Sequence, residues 1–424
     1  MTAPDAEKKR LKDAGKKYAE DKVNELFANS VIKDKSGDFP KFEKKELIVG
    51  KVLGRGGFGT VCEVHGFDAS KLSPKPPSLK KKIAASTRKL MTSTSHLDED
   101  EVDDDEAQQA GQAEYRKFIA DNCTRKNGDA RYAIKFLSPG TAKDPGMFIQ
   151  GSIDMAIETR LLSDTEHPNI IKMRALARMS PYNEEYFIVI DRLYDTLVHR
   201  MTTWRNLHNK LSGMSGKLFD RKGDKQKDLT EEILLAGYDL SDAFAYLHGR
   251  KIVYRDIKPE NIGFDIRNDI KIFDFGLATE LRDSRKAKDD LYNLTGMTGS
   301  PVYMAPEVAN EMPYNEKCDV YSFAILFWEM YSLKKAFELY GMKTFKSRVW
   351  NGEHKRPFVQ ESWPFPIKTL LRRSWSKDIS DRPAFTYVAK ILRSECVRMR
   401  DGNEDGLEHQ RRRSTMVFQG SGGL

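Results

Sequence analysis

Val253-Tyr254-Arg255-Asp256-Ile257-Lys258-Pro259-Glu260-Asn261-Ile262 packs an acid, a base and an amide into six positions between apolar runs. Each has a use in chemistry on phosphate. Asp256 can accept the proton of an attacking hydroxyl, Lys258 can neutralise charge on a transferred phosphoryl group, and Asn261 offers a carbonyl oxygen to a metal. A solvated polar turn is the other reading of these residues. The apolar flanks and the density of functional groups argue against it.

Outward from this stretch, Asp274-Phe275-Gly276 comes thirteen residues beyond Asn261, after the strand-like Ile270-Lys271-Ile272-Phe273. A carboxylate at a strand end followed by glycine suits magnesium held between protein and phosphates. Met304-Ala305-Pro306-Glu307 follows at a distance that allows a mobile loop between the two. Upstream, Gly54-Arg55-Gly56-Gly57-Phe58-Gly59-Thr60-Val61 lets backbone amides approach phosphate oxygens. A dinucleotide fold needs a helix straight after such a cluster. Here β-prone Thr60-Val61-Cys62-Glu63-Val64 follows, which makes either a strand–loop–strand flap or an ordinary tight hairpin. Lys135 ends the run Tyr132-Ala133-Ile134. It either snorkels to solvent or is held against phosphates by a carboxylate, and Glu158, nine residues before His167-Pro168-Asn169-Ile170, is the candidate.

The 424 residues carry 71 Lys and Arg against 63 Asp and Glu, a formal +8, too mild an excess to call for nucleic acid as a partner. Cys62, Cys123, Cys318 and Cys396 lie far apart, so neither a disulfide framework nor a zinc site follows. A reducing compartment is expected: intracellular and cytoplasmic, with the nucleus left open. The longest apolar run, Phe323 to Trp328, falls far short of the roughly 20 residues that span a bilayer. No secretory signal is visible, and no membrane insertion is expected.

Residues 1–45 read as a polar leader, with a weak helical pattern through Leu11, Tyr18, Val23 and Leu26. Strands are expected around Leu47–Leu53, Thr60–Val64, Arg131–Leu137 and Tyr186–Ile190, and a helix over Gly146–Ser163. Residues 66–130 read as a charged insertion holding Asp98–Glu106, eight carboxylates in nine positions, expected to be disordered outside the core. Residues 203–228 read as a second, polar insertion. Thr230 is expected to cap a helix whose buried face is Ile233, Gly237, Leu240, Phe244 and Leu247. Val320–Met330 is apolar nearly all round, as in a buried helix. Residues 397–424 read as a polar, basic tail. Strands first and helices later suggest an α+β arrangement.

Taken in order, these motifs resemble the eukaryotic protein kinase family, over about residues 46–396. The resemblance implies a two-lobed fold, a mainly β N-lobe to about residue 190 and a helical C-lobe from about residue 195, with ATP and Mg2+ in the cleft. By matching positions, Leu53, Gly54, Arg55, Gly56, Gly57, Phe58, Gly59, Val61 and Ala133 line the nucleotide. Lys135 contacts its phosphates and pairs with Glu158, Ile190 is the gatekeeper, and Asp191 to Leu193 form the hinge. Asp256 orients the substrate hydroxyl, Lys258 assists transfer, and Asn261 with Asp274 holds magnesium. Ser300 bridges the catalytic Asp and Lys, Glu307 pairs with Arg382, and Asp319 anchors the catalytic loop. The Lys-Pro-Glu-Asn form looks like serine/threonine kinases. Asp319-Val320-Tyr321-Ser322-Phe323 and Trp375-Ser376 with Asp381-Arg382-Pro383 look most like the tyrosine-kinase-like group.

Two departures stand out. Tyr254 replaces the commoner histidine, and an aromatic there can still stack with Phe275. The family's usual activation-loop phosphate position falls near Gly296, so Thr295, slightly ahead of Thr298, is expected to take that phosphate from an upstream activating kinase, with Arg282, Arg285, Lys286 and Lys288 nearby. The other reading is that both are ordinary loop threonines and the loop orders without modification. Protein substrates bearing Ser or Thr are the expected partners, in intracellular signalling. The rivals are a pseudokinase, which normally loses Lys135, Asp256 or Asp274, and a dinucleotide oxidoreductase.

Overall fold

A computed structural model of the chain describes residues 3–68, 104–213, 220 and 222–400. They form two compact units. One is Met1–Leu26, Lys33–Asp164 and Lys172–Arg192; the other is Phe27–Ile32, Thr165–Ile171 and Leu193–Leu424. The first is built on a sheet and the second on helices, the α+β division expected from the sequence.

In the first unit, β1 (Lys41–Phe42), β2 (Leu47–Arg55), β3 (Gly59–Phe67), β4 (Tyr132–Leu137), β5 (Met173–Ala177) and β6 (Phe187–Asp191) form one sheet in the order β1-β5-β6-β4-β3-β2. Neighbours are antiparallel except β1 and β5. The unbroken apolar run in β6 is buried on both faces: Phe187, Ile188 and Val189 are inaccessible to solvent, as is Ile134 of β4.

Among the described residues, α-helices α1 (Ala3–Phe27), α2 (Asp104–Asp121), α3 (Pro139–Lys143) and α4 (Pro145–Ser163) accompany the sheet. The Asp144 carboxylate caps α4 by accepting the Met147 N–H at 2.8 Å, and Pro145 fills the first position, where no N–H is needed. The leader is helical, but its inner face differs from the expected one. Ala19 and Val23 are buried while Tyr18 is 59% exposed, and the Leu11 side chain lies outside the described residues.

The charged insertion also needs correction. Its acidic residues 98–103 lie outside the described residues, but the backbone of Asp104, Asp105 and Glu106 opens α2. Further along, Ile119 is fully buried, and Arg116 pairs with Glu46 at 2.5 Å over the ring of Phe42. The apolar residues Phe118, Ile119 and Cys123 were outweighed in the reading by the acidic run before them.

The second unit holds α5 (Leu197–Ser212), α6 (Asp224–Gly249), α7 (Pro306–Ala309), α8 (Lys317–Ser332), α9 (Met342–Phe345), α10 (Phe365–Ser374) and α11 (Phe385–Met399). Every residue of α8 from Cys318 to Met330 is buried, which makes it the axis of the unit. The short strands β7 (Asp195–Thr196), β9 (Ile262–Phe264) and β10 (Ile270–Ile272) form one small sheet, and β8 (Ile252–Val253) and β11 (Thr279–Glu280) another.

The expected second insertion is mostly helix. α5 runs on to Ser212 with Trp204 and Leu211 buried, seven positions apart on one face, a pattern hidden by the surrounding lysines. α6 begins before Thr230. Asp220 accepts the N–H groups of Lys225 and Gln226 at 3.2 and 3.0 Å, while Thr230 lies inside the helix and donates back to the Gln226 carbonyl. The expected face is otherwise the buried one: Ile233, Leu240, Phe244 and Leu247.

Candidate functional site

In the first unit, strand register gathers the candidate residues. Val61 lies opposite Lys135, and Ala133 opposite Ile190, so all four share one face of the sheet. Lys135 Nζ donates to Glu158 Oε2 at 2.5 Å, with the Glu158 side chain almost wholly buried. A charge so buried requires a partner, and each here is the other's. Between β2 and β3 the chain turns tightly, Gly56 N–H to Gly59 carbonyl at 2.9 Å. Strand follows strand, which removes the dinucleotide reading. At Gly54 and Gly57 a side chain would meet nothing within 4 Å, so these positions border open space. Phe58 is fixed by Ser138 N–H donating to its carbonyl at 2.9 Å. Leu53 and Arg55 are exposed. Asp191 is tied by Arg174 through two bonds of 2.8 Å, and its own N–H goes to the Lys172 carbonyl. Leu193 belongs to the second unit, where it packs on Gly263.

In the second unit, Val253–Ile262 folds around one carboxylate. Asp256 Oδ2 accepts from Lys258 Nζ at 2.6 Å and from Asn261 Nδ2 at 2.8 Å, and Oδ1 accepts from Ser300 Oγ at 3.0 Å. Asn261 Nδ2 also reaches the Asp256 carbonyl at 3.0 Å. With its amide nitrogen so engaged, Asn261 keeps its side-chain oxygen for another partner. Phe273 N–H donates to the Asn261 carbonyl, which fixes Asp274 one residue on. Asp274 and Arg255 both hold positive φ, +66° and +70°, uncommon for non-glycine residues and a mark of conformations imposed by the surroundings.

Those surroundings are polar bonds into the core. Asp319, fully buried on α8, accepts the N–H groups of Tyr254 and Arg255 at 2.8 Å each and His248 Nε2 at 2.9 Å. Tyr254 packs edge-on against Phe275 and donates its hydroxyl to the Phe273 carbonyl at 2.5 Å. Gly299 has φ +96°, and an added Cβ would stand 2.3 Å from the Arg255 carbonyl, so only glycine allows that approach. Glu307 and Arg382 are buried and joined by two bonds of 2.5 and 2.9 Å. Thr295 is exposed, whereas Thr298 Oγ1 donates to the Thr295 and Gly296 carbonyls at 3.1 Å. Of the nearby cations, Arg282 donates to the Ala28 carbonyl and Lys286 pairs with Asp290.

Three participants escaped the sequence reading. Tyr303 donates to Glu329 Oε2 at 2.7 Å, and Tyr314 bonds both Arg255 and the Thr295 carbonyl. Burial pushes the Tyr314 phenol up to about 12, and it raises the Glu329 carboxyl. The only signal for Tyr314 was its place five residues before Asp319.

A family model for the protein kinase domain matches residues 119–394. Among curated proteins, the chain is 30% identical to the probable serine/threonine-protein kinase drkC of Dictyostelium discoideum over 244 residues, 56% of this chain and 29% of that protein. It is 30% identical to human mitogen-activated protein kinase kinase kinase 7 over 259 residues, 60% of this chain and 37% of that one. A third relative, the dual specificity protein kinase shkB of D. discoideum, is 32% identical over 180 residues, 42% of this chain and 27% of that protein. The chain thus spans about a third of the length of these relatives. It belongs to the protein kinase family, with relatives of the serine/threonine type. The family implies ATP as phosphoryl donor, a divalent metal and protein substrates. Among the described residues no helix is long and apolar enough to cross a membrane.

Proposed function

We propose that this chain is an ATP- and magnesium-dependent serine/threonine kinase of the tyrosine-kinase-like group, acting in cytoplasmic signalling, with residues 46–396 as its catalytic domain. The observation that carries the reading is the bonding of Asp256. Oδ2 has both lone pairs taken by Lys258 and Asn261, while Oδ1 accepts one bond, from Ser300. Oδ1 therefore keeps one acceptor site, suited to the proton of a substrate hydroxyl. As the hydroxyl oxygen bonds to the γ-phosphorus, the bond from that phosphorus to the β-phosphate oxygen breaks, ADP leaves, and the proton passes to Asp256. Lys258 sits beside Asp256 to offset charge on the moving group.

The residues fit a magnesium site by their chemistry, since the Asn261 amide oxygen and the Asp274 carboxylate are hard oxygen donors. Magnesium bound there would neutralise the nucleotide's phosphates. Lys135, oriented by Glu158, would supply a cation to a nucleotide's phosphates. Val61, Ala133 and Ile190 would meet the base. Thr295, being exposed, is the favoured acceptor for a phosphate from an upstream kinase, ahead of Thr298.

Labelled ATP with magnesium and a generic basic protein tests the reading. Wild type should transfer label to Ser and Thr, and Asp256→Asn and Asp274→Asn should lose orders of magnitude in rate. Near-normal transfer by Asp274→Asn would overturn the metal assignment. The dual-specificity relative makes phosphotyrosine the alternative product to score.

A further inference from the structure

Arg255 stands between the carboxylate at Asp256 and the loop that runs from Phe275 to Ser300. Its main-chain N–H is held by Asp319, and Gly299 lies against its carbonyl. Its guanidinium donates through Nε to the Leu277 carbonyl at 2.7 Å and through Nη1 to the Tyr314 hydroxyl at 3.3 Å. That hydroxyl, on a fully buried ring, donates in turn to the Thr295 carbonyl at 2.7 Å. One phenol oxygen therefore links the arginine beside the reacting carboxylate to the main chain of the loop.

The rest of the loop is fastened to the same stretch of chain. Tyr292 and Tyr314 exchange backbone bonds of 2.9 and 3.1 Å, Met297 N–H donates to the Val308 carbonyl at 2.9 Å, and Asn315 Nδ2 reaches the Asp290 carbonyl. At Gly296 a Cβ would stand 2.8 Å from Glu311 Cα, so the loop lies against residue 311 with no room for a side chain. None of these bonds involves the side chain of Thr295.

We propose that Tyr314 is a positioning residue for the transfer site, its hydroxyl holding Arg255 and the 292–298 segment together so that the loop is in place without a phosphate. This rests on the kinase reading above, and it makes any phosphate on Thr295 an addition to a loop already ordered. The hydroxyl does this with a neutral group: it accepts from the cation and donates to a carbonyl, which a phosphate, lacking a donor once ionised, cannot do.

The test compares wild type, wild type stripped of phosphate by a phosphatase and verified by intact mass, and Tyr314→Phe, which keeps the ring and loses the oxygen. The readouts are kcat and KM for ATP, melting temperature, and hydrogen exchange at residues 292–298. Stripping should change kcat by less than about twofold and leave Met297 protected. Tyr314→Phe should lower kcat about tenfold or more at unchanged KM and release that protection, because the one oxygen that bonds both the guanidinium and the loop carbonyl is lost. A purely structural role would lower the melting temperature and leave the kcat of the folded enzyme alone.

The proposal is overturned if stripping lowers kcat more than about tenfold and exposes the loop. It is equally overturned if Tyr314→Phe keeps wild-type kcat and exchange. Should that variant fail to fold, the stripped wild type decides. Exchange reports the hold on the loop even in a chain that transfers no phosphate, so failure of the kinase reading is told apart from failure of this one.

Discussion

Ser300 is the one donor on the Asp256 oxygen that would face a substrate hydroxyl. Ser300→Ala should free that oxygen to turn, lowering kcat about tenfold, while Ser300→Thr should restore it. Steady-state phosphorylation measures both, and wild-type kcat in the alanine variant would show the bond to be idle. Glu329 offers a pH test. Burial raises its carboxyl above the ordinary 4.5, and its bonds from Tyr303 and the Ala336 N–H pull it partway back. A carboxyl raised on folding contributes stability that is full below about pH 4.5 and lost as pH rises through the raised value. Glu329→Gln removes that loss. The gap in melting temperature between the two proteins should therefore shift toward the variant from about pH 4.5 to about pH 7. A constant gap would count against the shift. Asp256, Lys258 and Asn261 were legible because ten consecutive residues contain them. Tyr314 and Glu329 were not, since Tyr314 acts across 19 and 59 positions and Glu329 reaches Tyr303 across 26, and each looks like any aromatic or acid in sequence.

Periodicity carried the elements that have one apolar signal and little charge. β6, α4 and α8 lie where their patterns put them, and the glycine turn was readable as strand–loop–strand from the β-branched residues after it. Charge misled the reading of α2 and α5. In α5 four apolar residues, Leu197, Met201, Trp204 and Leu211, set the buried face beside basic and polar neighbours, and in α2 Ile119 alone of the described side chains is buried after an acidic start, so average composition hides both. Thr230 misled for a different reason: a good cap residue can equally bond back within a helix, and the first N–H groups of this one are already accepted by Asp220. For α2 the consequence is measurable. Ile119→Ala should cost about 2–5 kcal/mol in urea unfolding, by loss of burial and the cavity left. Phe118→Ala, at a neighbouring residue 49% exposed, should change stability by only about 0.5 kcal/mol. Equal, small effects would return α2 to the status of a dispensable insertion.

Among the described residues, Glu307 and Arg382 form an ion pair buried on both sides. Arg382→Ala leaves a buried carboxylate alone and should destabilise the second unit by about 3–5 kcal/mol, read from denaturant midpoints at constant slope. A cost under about 1 kcal/mol would put the pair among exposed ones.

The path of the chain has a consequence of its own, because two early stretches serve the second unit. Val31 N–H bonds Glu280, 249 positions later, and Asn169 bonds the Ile270 carbonyl, 101 positions later. At a synthesis rate of roughly 5–20 residues per second, the ribosome leaves the later stretch waiting on the order of 5–20 s and the earlier one on the order of 10–50 s. By then the strands up to Asp191 have emerged and can pair. The nascent chain thus displays a finished sheet with two unmet apolar segments, one of them carrying Ile170 and Ile171, and these are where a chaperone would bind first.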